Sequence, residues 1–132
     1  MRVRCGYPAA VPVARLASVA LDCADPLPLA TFWAGLLGGE VAFTSDAVVA
    51  VRTDRGWLMA LRVPGYTAPD WPDGTVPKQV HLDLAVDDLD VAEVEAIRPG
   101  ARKAAHQPGP ERWGVLLDPA GHPFCLTTQI PE

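Results

Sequence analysis

"HLDLAVDD", His81 to Asp88, repeats the pattern of "SVALDCAD", Ser18 to Asp25. Each alternates as a half-buried strand does, and each ends on an aspartate able to cap a following helix. After Asp25 the apolar residues Leu29, Phe32, Trp33, Leu36 and Leu37 recur at helical spacing. Asp25 is the expected N-cap, Pro26 the first helical residue and Gly38-Gly39 the stop. After Asp88 a shorter helix carries Val91, Val94 and Ile97 on one side and ends before Pro99-Gly100. "EVAFTS", "AVVAVRT" and "WLMALRV" then follow the first helix as strands, and "RKAAHQ", "RWGVLLD" and "PFCLTT" follow the second. Each half reads β-α-β-β-β.

Neither half can close a core alone, so the two should pair. The expected architecture is α+β: two tandem β-α-β-β-β modules forming a cupped, antiparallel-rich sheet, helices on the outer face and a concave face left for a ligand. The modules cover about residues 13–64 and 78–128 of one domain, with 65–77 between them. The joining segment "PGYTAPDWPDGTVP", Pro64 to Pro77, is stiffened by four prolines and offers Trp71 as a lid or a strap.

Composition narrows the function. At 132 residues the chain suits one core, and a net charge of -5 gives no basic footprint for nucleic acid. The stretch from Met1 to Cys23 is a poor secretion leader, because Pro8, Pro12 and Arg15 interrupt its apolar run. No run approaches the roughly 18 to 20 apolar residues that span a bilayer. Cys5, Cys23 and Cys125 are odd in number and lack C-x-x-C spacing, which signals neither a disulfide framework nor a zinc knuckle. A cytoplasmic protein without nucleic-acid or membrane partners is expected.

Three stretches carry a family resemblance: "LDCADPLPLATFWAGLLGGEV", "RVPGYTAPDWPDGTVPKQVHLDLAVDDLD" and "GVLLDPAGHPFCL". With the tandem β-α-β-β-β pattern, they make the chain similar to the vicinal oxygen chelate superfamily, which includes glyoxalase I, extradiol dioxygenases and bleomycin-resistance proteins. The chain resembles the glyoxalase-like branch common in actinobacteria. The resemblance implies metal ligands on the first and last strand of each module, here at about Ser18, Ala60, His81 and Cys125. Alanine ligates nothing, serine is a poor ligand for a divalent ion, and Cys125 stands where the family has glutamate. An open catalytic site needs about three protein ligands, so neither a metal nor any other cofactor is expected.

Strand parity sorts the remaining candidates. His81, Asp83 and Ala85 share one face and Leu82, Leu84 and Val86 the other; Ser18, Ala20 and Asp22 oppose Val19, Leu21 and Cys23 in the same way. Ser18, Asp22, His81 and Asp83 should therefore look into the cup. His81 with Asp83 is the candidate acid–base pair, the carboxylate fixing the imidazole's orientation. Trp57, Trp71 and Trp113 are candidate walls, and Arg62 a candidate anchor for an anionic group. Cys125, between Phe124 and Leu126, also faces this region, although a cysteine on an apolar strand is ordinarily core. Trp33 belongs to the first helix's core face. His122, after Gly121, suits a left-handed turn position, and His106 an exposed strand end. The acidic group Asp83, Asp87, Asp88 and Asp90 lacks the glycine and final glutamate of an EF-hand loop.

Three functions remain open. The first is a small-molecule binder of the sequestering, resistance type that works without the usual metal. The second is a lyase or isomerase with His81 as general acid/base, with or without a divalent metal, and the third a non-catalytic oligomerisation domain. The resemblance also allows a homodimer.

Overall fold

The computed structural model describes residues 11–130. Cys5 and residues 1–10 of the stretch weighed as a leader lie outside the described residues. In chain order the elements are β1 (Ser18–Cys23), α1 (Pro26–Leu37), β2 (Glu40–Thr44), β3 (Val48–Thr53), β4 (Gly56–Arg62), β5 (Leu82–Ala85), α2 (Leu89–Ile97), β6 (Arg102–Lys103), β7 (Trp113–Leu117) and β8 (Pro123–Thr127). The β-α-β-β-β unit thus occurs twice. The halves form two four-stranded sheets of order β1-β4-β3-β2 and β5-β8-β7-β6. In each sheet the first strand lies parallel to the last and the other pairings are antiparallel, which makes an α+β fold with two mixed sheets.

Alternation in the sequence becomes burial in the structure. Cys23, Val49, Val51, Leu58 and Ala60 turn their side chains to the core under α1, which contributes Leu29, Phe32 and Trp33. The second sheet adds Leu116, Phe124 and Leu126 to the same core. Trp33 joins the halves: its ring centroid lies 5.0 Å from that of Phe124, edge to face, and its Nε1 donates a 3.0 Å hydrogen bond to Asp118 Oδ2. Aromatic pairs in this geometry add about 0.5–1.5 kcal/mol beyond their buried area.

Helix α1 starts and stops where its sequence dictates, with one difference. Asp25 has the extended backbone of an N-cap but makes no side-chain cap bond, whereas Gly38 ends the helix in the left-handed conformation at φ 65°. Helix α2 is rotated from the expected orientation. Leu89, Ala92 and Ala96 face the core, and the Val91, Val94 and Ile97 stripe is exposed at 61%, 57% and 41%. Strand β6 is also shorter than "RKAAHQ" suggests. The Gln107 side chain replaces the ladder, donating to Ala104 O and Val115 O and accepting from Val115 N, just before Pro108 and Pro110 preclude further pairing.

Candidate functional site: a cavity on the second sheet

Asp83 on β5 and Cys125 on β8 are register partners in a parallel pair, so their side chains rise side by side from one face. His81 lies just before β5, two residues from Asp83, and shares that face. Val115 and Trp113 on β7 extend it, being partnered with Cys125 and Thr127. The opposite face carries Leu82, Phe124, Leu126 and Leu116 into the core. Over the open face lies a cavity of about 360 Å³, with Trp71 and Trp113 among its walls and His81, Asp83 and Cys125 at its floor. Pockets for small organic ligands start at roughly 300 Å³.

The link between the halves supplies one wall. Asp70 Oδ2 accepts from the backbone N–H of Thr75 and of Val76, closing a loop that carries Trp71. The Trp71 ring stands 5.4 Å from that of His106, and the Lys78 ammonium lies 5.8 Å from the indole centroid.

Polar contacts join the floor. His81 Nε2 is 3.2 Å from Asp83 Oδ1, and Lys78 Nζ is 3.4 Å from His81 Nδ1. An ammonium only donates, so Nδ1 is the acceptor and the ring proton on Nε2 faces the carboxylate. Burial and then the charge of Asp83 push the Cys125 thiol above its ordinary pKa. Cys125 therefore sits as a neutral thiol at physiological pH, which is poor for nucleophilic attack.

The sequence-derived candidates divide into two groups. Trp71, His81, Asp83, Trp113 and Cys125 meet in this cavity. Ser18, Trp57, Asp22 and Arg62 do not line it. Ser18 is partnered with Trp57 on the first sheet, where Arg52 covers the indole at 5.3 Å. Asp22 lines a separate groove of about 430 Å³ with Tyr66, Lys78 and His122. Arg62 is exposed at the end of β4, on the Ala60 side, and has no ion pair among the described residues.

Two placements differ from expectation. Ala60 points into the core, and the β4 residue beside Ala20 on the open face is Met59. The set implied by resemblance becomes Ser18, Met59, His81 and Cys125, with its first two members on the other sheet. A hydroxyl and a thioether away from the cavity do not complete a divalent-metal site with His81 and Cys125, so the usual metal does not fit these positions. His122 is the second case. The left-handed backbone belongs to Gly121, at φ 88°, and His122 instead reaches Asp22 O at 2.7 Å as a strut between the halves. Beside it Tyr66 Oη donates to Ala120 O at 2.6 Å, and burial is the main cause raising its pKa to about 12.

Sequence reasoning missed Lys78, which contacts both His81 and Trp71. Its position three residues before His81 was the available signal. Asp83 is expected in the cup beside His81, and its place next to Cys125 follows once β5 and β8 are paired in register.

Comparison with known proteins agrees with this architecture. The glyoxalase-like domain family matches residues 18–127. No curated protein matches the sequence. Among solved structures, a glyoxalase/bleomycin resistance protein/dioxygenase family enzyme from Burkholderia phytofirmans PsJN is similar, with TM-score 0.66 at 19% identity over 86% of this chain and 97% of that one. The fosfomycin resistance protein FosX from Mesorhizobium loti gives 0.68 at 15% identity, covering 90% and 94% of the two chains. Lactoylglutathione lyase from Agrobacterium tumefaciens gives 0.60 at 16%, covering 89% and 95%. Such identities speak to the fold alone. The tandem β-α-β-β-β halves and a family match running from β1 to β8 establish that the chain belongs to the glyoxalase-like domain family.

Proposed function

We propose that the protein binds a small organic molecule in the cavity over its second sheet, without the family's usual metal, as a sequestering or resistance protein would. The observation carrying this reading is the cavity itself: two tryptophan walls above a polar floor of Lys78, His81 and Asp83. Flat aromatic or aliphatic groups would pack against Trp71 and Trp113, and a polar substituent would find donors and an acceptor beneath. The similarity to a fosfomycin resistance protein supports a role of this kind. The protein acts in the cytoplasm, where Cys23 and Cys125 remain thiols.

A thermal-shift screen against natural products tests this. A compound at a hundredfold excess over its dissociation constant adds about 2.7 kcal/mol to stability, which raises Tm by several degrees. Trp113→Ala and His81→Ala should abolish the shift. A compound whose shift survives both substitutions binds elsewhere and contradicts the proposal.

The Lys78–His81–Asp83 chain favours a second reading, in which the bound molecule is a substrate for a lyase or isomerase reaction. His81 Nδ1, the nitrogen without the ring proton, would exchange a proton with a carbon or oxygen of the substrate once Lys78 turns aside, Asp83 holding the ring through Nε2. Turnover lost in His81→Ala with ligand binding retained by His81→Gln would support it.

The first sheet has its own open face, bearing Phe43, Trp57 and Met59 beside Ser18. Phe43 is 57% and Trp57 40% exposed. A second copy of the chain is the proposed occupant, bringing Ser18 and Trp57 over the partner's cavity in a homodimer. Sedimentation should give a dimer that Trp57→Glu converts to monomer; a monomeric wild-type protein contradicts it.

A further inference from the structure

Lys78 carries a charge that the protein itself does not answer. It stands half-buried on the wall of the cavity and belongs to none of the ion pairs among the described residues. Its contacts there are neutral: the Nδ1 lone pair of His81 lies 3.4 Å from the ammonium, and the Trp71 ring centroid 5.8 Å. An ammonium has three N–H donors, so two remain for a ligand.

We infer that the cavity takes an organic acid with one negative charge: a flat apolar body against Trp71 and Trp113, and an ionised carboxyl group on the free donors of Lys78. This rests on the cavity reading above and adds to it the charge class of the ligand. A hydrogen bond between ionised partners is shorter and roughly twice as strong as a neutral one. Water and salt screen such a pair less when it is partly buried.

An organic cation between the indoles meets two obstacles. Lys78 already stands over the Trp71 ring, in the place a ligand cation would take, and repels a second positive charge. Asp83, the one carboxylate of the lining, is engaged with His81. A dianion is disfavoured too, because one ammonium balances one charge and the other would face Asp83. The chain's net charge of -5 opposes anions in general, so the preference stands or falls with this one side chain.

The walls set the shape of the body as Lys78 sets its charge. Asp70 ties down the loop that carries Trp71. The Trp113 indole lies against Gly109, where a Cβ would stand 2.6 Å from Cζ2 of the ring. Pro108, Val115, Pro123 and Ile130 add only apolar side chains. Walls fixed in advance spare a ligand the cost of ordering them.

Three probes with one ring system test the inference: naphthoate, its neutral amide, and naphthylmethylammonium. Calorimetric titration of the full chain should give naphthoate about 10- to 100-fold tighter binding than the amide, the range set by a hydrogen bond to a charged group. The ammonium should bind most weakly. Lys78→Met keeps the length of the stem and should bring naphthoate to the amide's affinity or below it, with the amide unchanged. Lys78→Arg should restore the preference for the acid. Lys103→Met alters net charge equally, at an ammonium paired with Glu93, and should leave that preference intact. Circular dichroism confirms that each variant is folded, and the indole NMR signals of Trp71 and Trp113 report entry into the cavity. Equal affinity of acid and amide, with both moving those signals, overturns the inference and leaves the cavity reading standing. A preference for naphthoate that survives in folded Lys78→Met, or tighter binding of the ammonium, overturns it as well. If no probe moves either indole signal, the cavity reading fails and this inference with it.

Discussion

At the scale of single residues, Asp118 is held from three sides. It is fully buried, its Oδ2 accepts from the Trp33 indole, and its Oδ1 accepts from the backbone N–H of Ala120 and His122. Burial raises its pKa and outweighs the lowering by His122 and by these hydrogen bonds. Between the ordinary value and the raised one, the folded protein therefore holds a proton on Asp118 that the unfolded chain has already released. The resulting stability is fully present below the ordinary aspartate value of about 3.9 and is lost as pH rises through the raised folded value. The Tm difference between wild type and Asp118→Asn, followed against pH, should fall across that window. An unchanged difference contradicts the assignment. Asparagine also turns an amide N–H toward the Trp33 N–H, so Asp118→Asn should cost about 1–3 kcal/mol in denaturant unfolding at neutral pH. "DPAGHPFCL" showed a turn, and nothing in it named Trp33 as the partner of Asp118. That contact spans the two halves, and local pattern contains no information about which distant donor a buried carboxylate meets.

At the scale of elements, periodicity revealed both helices of the described residues and the principal strands, but not which way α2 faces. Its nine residues contain two apolar sets: Leu89, Ala92 and Ala96, and Val91, Val94 and Ile97. Size and hydropathy favour the second set, yet it is Leu89 and Ala92 that pack against the core, and Ala96 is fully buried. Ala96→Leu should therefore overpack the core, at a cost of about 1–3 kcal/mol. Val94→Lys should change stability by less than about 0.5 kcal/mol. Chemical denaturation compares them, and the reverse ranking would put α2 the other way round. Helix α1 was legible to its last residue because Gly38 carries a conformational requirement of its own. Gly38→Ala at φ 65° should cost about 1 kcal/mol.

At the scale of the whole molecule, the duplicated β-α-β-β-β pattern was enough to give two sheets and two helices, because each half has one buried and one open face. It did not show that the open faces work separately. The candidate site was accordingly half legible: Trp71, His81, Asp83, Trp113 and Cys125 come together, while Ser18, Asp22, Trp57 and Arg62 remain with the first half. Alternation assigns a residue to a face, whereas the packing of one sheet against the other decides which faces share a cavity. The cavity over the second sheet is the centre of the functional account, and its direct test is NMR mapping of the compound giving the largest thermal shift. Backbone amide shifts should move along β5, β7 and β8, at Asp83, Val115 and Cys125, with the indole signals of Trp71 and Trp113. Shifts confined to the groove around Asp22, Tyr66 and His122, with the second sheet unmoved, would contradict it.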